Sequence, residues 1–415
     1  MKRIRFLLLI FVASLVAVAP QVAAQHFPHY TVKDLGTLGG TYSVANGISN
    51  SGWVSGISTL PGDTEVHAFA WHKGVMTDLG TLGGPNSNNY FLPNDWGAVV
   101  GPSETPNPDP LGQDFCGFGT HLICLPFVWW RGTMIPLPTL GGYNGGAAGV
   151  NDWGELVGAA QTTISDPTCI PPQVQQVEPV IWKNGTIRQL PNFAGDTVGA
   201  AHAINEKGQI TGWSGNCAMT LVHAMLWENR RAIYLGSLGG TGDTEGLGIN
   251  NQGQVVGYGY LAGNTTYDAF LWRNGVMTDL GTLPGDVASG ALAINSKGLV
   301  VGGSVEPSGN VRGVIWHNGV IADLNTLIPP GSPFVMFGSG INSSGQISAT
   351  ALLASGQTHA VLMIPVKGET SEKSAALRAS EIVKRPAVTP PENVRNLLEQ
   401  RVPFGRLKGG LVKPE

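Results

Sequence analysis

One short pattern recurs along most of this chain: Ile or Val, then Asn, two polar residues, Gly and an apolar strand. Ile249-Asn250-Asn251-Gln252-Gly253-Gln254-Val255-Val256-Gly257 is a clear copy. Asn favours a side-chain-capped turn and Gly takes its left-handed position, so each copy predicts a hairpin. The turn Gly falls at 52, 97, 154, 208, 253, 298 and 345, at intervals of 45, 57, 54, 45, 45 and 47. A second pattern alternates with the first: an apolar strand ending in Trp, a tight turn, then another strand. Ala269-Phe270-Leu271-Trp272, Arg273-Asn274-Gly275 and Val276-Met277-Thr278-Asp279-Leu280-Gly281 show it best. Asn-Gly supplies the positive φ angles of a two-residue hairpin turn. The Trp recurs at 71, 129, 182, 227, 272 and 316.

Seven copies of a two-hairpin unit near 45 residues predict an all-β, seven-bladed β-propeller with four strands per blade. A solenoid is also built from such units, and the two ends of the repeat region decide between them. The region opens in mid-repeat, with Tyr30-Thr31-Val32-Lys33-Asp34-Leu35-Gly36 matching the strand after the Asn-Gly turn. It closes with His359-Ala360-Val361-Leu362-Met363, which matches the Trp strand and has no partner after it. Each end holds the half-blade that the other lacks, so the ring closes by pairing the N- and C-terminal strands. Closure protects the sheet edges, whereas an open solenoid needs capping units.

Charge divides the 415 residues into three parts. Residues 1–24 have a basic start, an apolar run over 6–19 and Val22-Ala23-Ala24, which together read as a signal peptide cleaved before Gln25. The run is too short for a membrane anchor, and no later segment is long and apolar enough to span a bilayer. Residues 25–366 form the propeller and hold 11 Lys or Arg against 22 Asp or Glu, a net −11. That balance argues against nucleic acid as a partner. Residues 367–415 carry ten Lys or Arg against six Asp or Glu, net +4, with no Trp, Tyr or Cys. Their composition predicts a mobile tail whose positive charge suits an acidic surface, the propeller itself included.

His67-Ala68-Phe69, His223-Ala224-Met225 and His359-Ala360-Val361 recur alongside Asp-Leu-Gly-Thr-Leu-Gly-Gly at 34–40 and 78–84. In these words the chain resembles the HAF-repeat family of probable extracellular bacterial proteins. The resemblance covers nearly all of 30–366. It departs at Ser49, which replaces the turn Asn, at Asp268, which replaces the His, and at the last repeat, which lacks the Trp. It implies export and a repeat fold and supplies no catalytic residues.

Strands of alternating direction put the tight Asn-Gly and Asn-x-x-Gly turns on one face and the long connectors on the other. Insertions near 102–126, 159–179 and 213–222 make the connector face the expected binding side. All four cysteines lie in them. Pairing Cys116 with Cys124 and Cys169 with Cys217 keeps each disulfide local, though three pairings are possible. The recurring Trp residues read as packing between blades. Aromatics that the repeat does not demand, Tyr42, Tyr143, Trp213, Tyr258 and Tyr260, are candidate platforms for an extracellular glycan. Asp196 and Asp286 sit in Gly-Asp turns, which are ordinary turn chemistry, and Asp243 is nearby in the intervening repeat. Converging on the central opening, they would instead bind a cation or act as an acid and base pair in a carbohydrate-active enzyme. No calcium loop, nucleophile elbow, zinc-binding helix or P-loop is present, and no cofactor is expected. The leading expectation is a secreted, non-catalytic propeller that binds an extracellular glycan or a surface protein through its long-connector face.

Overall fold

The computed structural model describes residues 27–366, so the expected signal peptide and basic tail lie outside the described residues. Seven antiparallel sheets form a ring, the predicted seven-bladed β-propeller, with one 3-10 turn, Leu324–Thr326, as the only helical element among the described residues. Blades 1 to 6 begin at residues 43, 87, 141, 198, 239 and 288. Blade 7 combines Phe334–Ile341, Ile347–Leu352 and Thr358–Pro365 with the N-terminal strand Tyr30–Asp34. Tyr30 pairs with Pro365 and Asp34 with Val361, which closes the ring as the two half-repeats require.

The first strand of each blade is innermost. Blade 2 differs: its regular sheet has three strands, and residues 86–91 take the place of the fourth. The segment Pro85-Asn86-Ser87-Asn88-Asn89 is rich in residues that disfavour strands. It keeps one bridge, Ser87 to Ser103, and two flanking backbone hydrogen bonds, from Asn88 N to Pro102 O and from Glu104 N to Asn86 O, both at 2.9 Å.

The six regular inner strands each carry a β-bulge three residues before the turn position, at Asn46, Ala148, His202, Leu247, Leu292 and Ser339. A bulge leaves one residue out of the ladder and re-aims its side chain. Asn46, Leu247, Leu292 and Ser339, with Phe91 of blade 2, accordingly line a cavity of about 30 Å³ on the axis, room for a water molecule or two. Opposite the bulges the second strands carry Gly56, Gly158, Gly212, Gly257 and Gly302. A Cβ on any of these would overlap a backbone carbonyl oxygen of the inner strand.

The recurring Trp residues are core, as expected. Trp182, Trp227 and Trp316 are each 1% exposed. Trp182 and Trp227 donate their indole N–H to backbone carbonyls of the connector entering their own blade, Pro138 O at 2.8 Å and Pro191 O at 2.7 Å. Each ring thereby joins its blade to the one before.

The turn Asn forms a belt around the tight-turn face. In blade 5, Asn250 Oδ1 accepts from Gln252 N (3.0 Å) and Gln254 N (3.1 Å), while its Nδ2 donates to Asn295 O of blade 6 (3.0 Å). The same interblade bond runs from Asn94 to Asn151, Asn151 to Asn205, Asn205 to Asn250, Asn295 to Asn342 and Asn342 to Ser49. From blade 1 to blade 2, where Ser49 lacks an amide, Ser51 Oγ donates to Asp95 O at 2.7 Å instead. The signature that betrayed the repeat is therefore also what ties its blades together.

Candidate binding surface

The HAF and Asp-Leu-Gly words are two halves of one clasp. His67 Nδ1 lies 2.8 Å from Asp78, and His359 Nδ1 lies 2.9 Å from Asp34, bridging the strands that close the ring. Asp34, Asp78 and Asp279 also accept the N–H of the Gly two residues on, at 2.8, 2.8 and 2.7 Å. Burial pulls the His67 pKa down, but the Asp78 carboxylate outweighs it and holds the imidazole above its ordinary value. In blade 5, Asp268 replaces the His and faces Asp279. Burial, reinforced by the Asp279 charge, pushes Asp268 up to about 7. Blade 6 has Arg312 at this place, with Asp286, Glu306 and Asp323 around it.

These clasps absorb two of the three Asp residues expected at the central opening. Asp196 accepts from Ser214 Oγ (2.5 Å) and pairs with His223 Nδ1 (2.9 Å); Asp286 holds Arg312 at 2.5 Å. Their partners stand on second and third strands, away from the axis, so neither carboxylate is at the channel mouth. Both side chains are nearly buried, at 4% and 2% exposure. Asp243 is half-buried in the inner strand Gly239–Ile249. No carboxylate lines the axial cavity, whose walls are Val44, Asn46, Tyr90, Phe91, Leu247, Leu292, Phe337 and Ser339.

The aromatic candidates need a similar correction. Tyr42 and Tyr258 are buried at 2% exposure, Tyr42 beside Val44 and Phe337 and Tyr258 beside Leu247 and Tyr267. They are core residues and offer no face to a sugar. Trp213 and Tyr260 are half-buried on second strands. Of the five, only Tyr143 is well exposed.

The connectors of blades 2 to 4 are built differently from the rest. Disulfides join Cys116 of one connector to Cys124 on the strand that follows it and Cys169 to Cys217 between two connectors, the pairing preferred from locality. Beneath them lies a buried polar network. Asn144 Nδ2 donates to Asp109 (2.6 Å) and Gln161 (3.0 Å), Gln161 Nε2 donates to Gln113 Oε1 (2.9 Å), and that oxygen also accepts Val174 N and Gln175 N. Gln113, Asn144 and Gln161 are all 0% exposed. A satisfied buried network of this kind fixes its loops as firmly as packing does.

On these loops sit Leu111, Ile170 and Leu221, at 43, 59 and 39% exposure, and at the connector ends of adjoining strands Ile164 at 57% and Tyr143 and Tyr234 at 39%. Single exposed apolar side chains are ordinary. Here six fall on the connector side of three consecutive blades, while among the described residues the connector side of the other four has no exposed large apolar side chain. The insertions near 102–126, 159–179 and 213–222 contain four of the six, and those four are aliphatic where a glycan platform would be aromatic. The opposite face holds a second surprise: Trp96 and Trp153 are 66% and 76% exposed. Their signal was the wording Asn-Asp-Trp-Gly at 94–97 and 151–154, where the other repeats put Ser, Lys or Gln at the Trp position.

Fold and surface together define a disulfide-stapled propeller scaffold. No protein-family model and no curated protein matches the chain. Similar solved structures include Porphyromonas gingivalis dipeptidyl peptidase 4 (10% identity, TM-score 0.43, 80% of this chain and 53% of that one). Pyrococcus horikoshii acylaminoacyl peptidase (10%, 0.44, 77% and 52%) and the Aleuria aurantia lectin AAL (9%, 0.37, 81% and 99%) are others. The chain spans about half the length of the two peptidases. At these identities and scores the likenesses carry no argument about activity. Among the described residues no helix is long and apolar enough to cross a membrane.

Proposed function

We propose that this chain is a secreted, non-catalytic β-propeller of the HAF-repeat kind that binds a surface protein through the long-connector side of blades 2 to 4. The observation that carries this reading is the set of exposed Leu111, Ile170 and Leu221 on connectors held by two disulfides and a buried amide network, with exposed Ile164 at the end of the strand that enters one of them. Preorganised apolar loops lose little entropy on binding, which is what a protein interface requires. A protein partner suits them better than a glycan, because the exposed side chains are mainly aliphatic and a sugar face asks for aromatic platforms. The disulfides also suit an oxidising compartment and so support export. The alternative of a carbohydrate-active enzyme loses its residues, since Asp196 and Asp286 are engaged by His223 and Arg312.

Site-specific photo-crosslinking on intact producing cells tests the reading. A photoreactive side chain at Ile170 should capture a discrete protein, and the same group at Lys297 on the opposite face should not. Equal capture from both positions, or from Lys297 alone, would overturn the assignment of the face.

A further inference from the structure

The tight-turn face carries a feature that the repeat does not require. At the third position of the seven turns stand Ser51, Trp96, Trp153, Lys207, Gln252, Lys297 and Ser344. The two indoles lie in neighbouring blades on turns fixed by the Asn belt: Asn94 Oδ1 accepts from Trp96 N at 3.1 Å and Asn151 Oδ1 from Trp153 N at 3.2 Å. Trp153 Nε1 donates to Glu206 O at 3.0 Å, which orients the ring while most of it stays in solvent. Most of each ring lies in solvent, more apolar surface than the turn itself needs, so its place calls for an occupant.

The charges beside the rings say what kind. At the second turn position blades 2, 3 and 4 have Asp95, Asp152 and Glu206, linked in series: Asp95 N donates to Asp152 Oδ1 (2.8 Å) and Asp152 N to Glu206 (3.2 Å). Burial first, and the neighbouring carboxylates after it, push Asp152 and Glu206 above their ordinary values. Of the basic residues on this face of blades 2 to 4, Lys207 shares the inner turns with the three carboxylates, while Lys183, held by Glu155 at 2.6 Å, Arg131, Arg230 and Arg231 belong to the outer turns between third and fourth strands. Indole faces next to carboxylates form a receptor for Lys or Arg side chains through cation–π and ionic attraction. The molecule already uses the first of these, with Lys33 4.9 Å over Trp71 and Arg131 5.0 Å over Trp130.

A cationic segment starts on this same face. The strand Thr358–Pro365 is the third of its blade and runs from the connector side to the tight-turn side, so the described residues end there, at Val366. Residues 367–415 carry ten Lys or Arg and a net +4 against the −11 of residues 25–366. An extended stretch of about 15 residues spans roughly 50 Å, so the whole ring face is within reach. The tether also supplies an effective concentration near millimolar, which makes a weak intrinsic affinity sufficient. We propose that the tight-turn face of blades 2 to 4 is a docking site for the chain's own basic segment 367–415. Its Lys or Arg side chains seat on Trp96 and Trp153 beside Asp95, Asp152 and Glu206.

Zero-length carbodiimide crosslinking of the full chain, with peptide mapping of the monomer, tests this. Lys373, Lys384, Lys408 or Lys413 should link to Asp95, Asp152 or Glu206. The yield should fall at least threefold in 0.5 M NaCl and in the W96A/W153A variant. The salt arm needs no substitution and stands even if that variant folds poorly. Links from the segment spread evenly over other carboxylates, a yield indifferent to salt or to both Trp residues, or links found only between molecules would each overturn the proposal.

Discussion

Replacing Asn250 by Ala isolates what the Asn belt contributes. The residue is 5% exposed, and its side chain makes four hydrogen bonds: two accepted from Gln252 N and Gln254 N, and two donated, to Gln254 Oε1 (2.7 Å) and Asn295 O (3.0 Å). Each is worth about 1 kcal/mol net, and the Gln254 side chain recovers its bond by turning to water. The expected loss is therefore about 2–3 kcal/mol. With an unfolding entropy near 2.1 cal/mol/K per residue over roughly 340 residues, that lowers the melting temperature by about 3–4 °C. Asn250→Ser should recover about half, because a hydroxyl keeps the acceptor and loses the interblade donor, as Ser49 does in blade 1. Lys297→Ala, on the same face but exposed, should stay within about 0.5 kcal/mol. Scanning calorimetry of the three variants reads these values. If Asn250→Ala melts within 1 °C of the wild type, or no lower than Lys297→Ala, the belt does not hold the blades together.

Other outcomes follow from the same structure. Asp268 binds its proton more tightly folded than unfolded, so the stability it adds is present at acid pH and is lost as pH rises from about 4 towards about 7. Asp268→Asn keeps a donor for Asp279 and removes that loss; its stability relative to wild type should grow by roughly 2–3 kcal/mol between pH 5 and pH 8. A difference flat with pH in urea titrations would contradict the assignment. Peptide mapping without reduction should recover 116–124 and 169–217 as the linked pairs, and any other pairing or four free thiols would remove the stapled-loop argument. Replacing Cys169 and Cys217 together by Ala should cost roughly 2–4 kcal/mol for the 48-residue separation they close; a change under 0.5 kcal/mol would show that the amide network alone fixes these loops. Gly257→Ala should destabilise by several kcal/mol or abolish folding, because its Cβ would overlap the Glu245 carbonyl. Expression yield and melting check it.

The repeat made the ring legible because turn chemistry is local: Asn250 and Gly253 need only their own hairpin, so their spacing survives in the sequence. The pairing of Tyr30–Asp34 with Thr358–Pro365 was legible for a different reason, as each end states the half-blade it lacks. Surface residues were less legible. Tyr42 and Tyr258 are tyrosines outside the consensus, and nothing local distinguishes a ring that packs under a connector from one that lies on it. Asp196 and Asp286 resemble loop carboxylates until the third strand brings His223 and Arg312 to them. The inner-strand bulges have no sequence mark beyond the Gly they face. Trp96 and Trp153 were visible in principle, as departures at a fixed place in the turn, but they stand on the face that loop length had set aside.

The most direct measurement is the binding of purified chain to intact producing-cell surfaces by the wild type and by the variant Ile164→Asp/Ile170→Asp. Both side chains are more than half exposed, so the variant should melt with the wild type. Charges on the connector side of blade 3 should weaken surface binding at least tenfold, whereas Lys297→Asp on the opposite face should leave it unchanged. Undiminished binding by the double variant would contradict the claim that this side of the propeller is its working face.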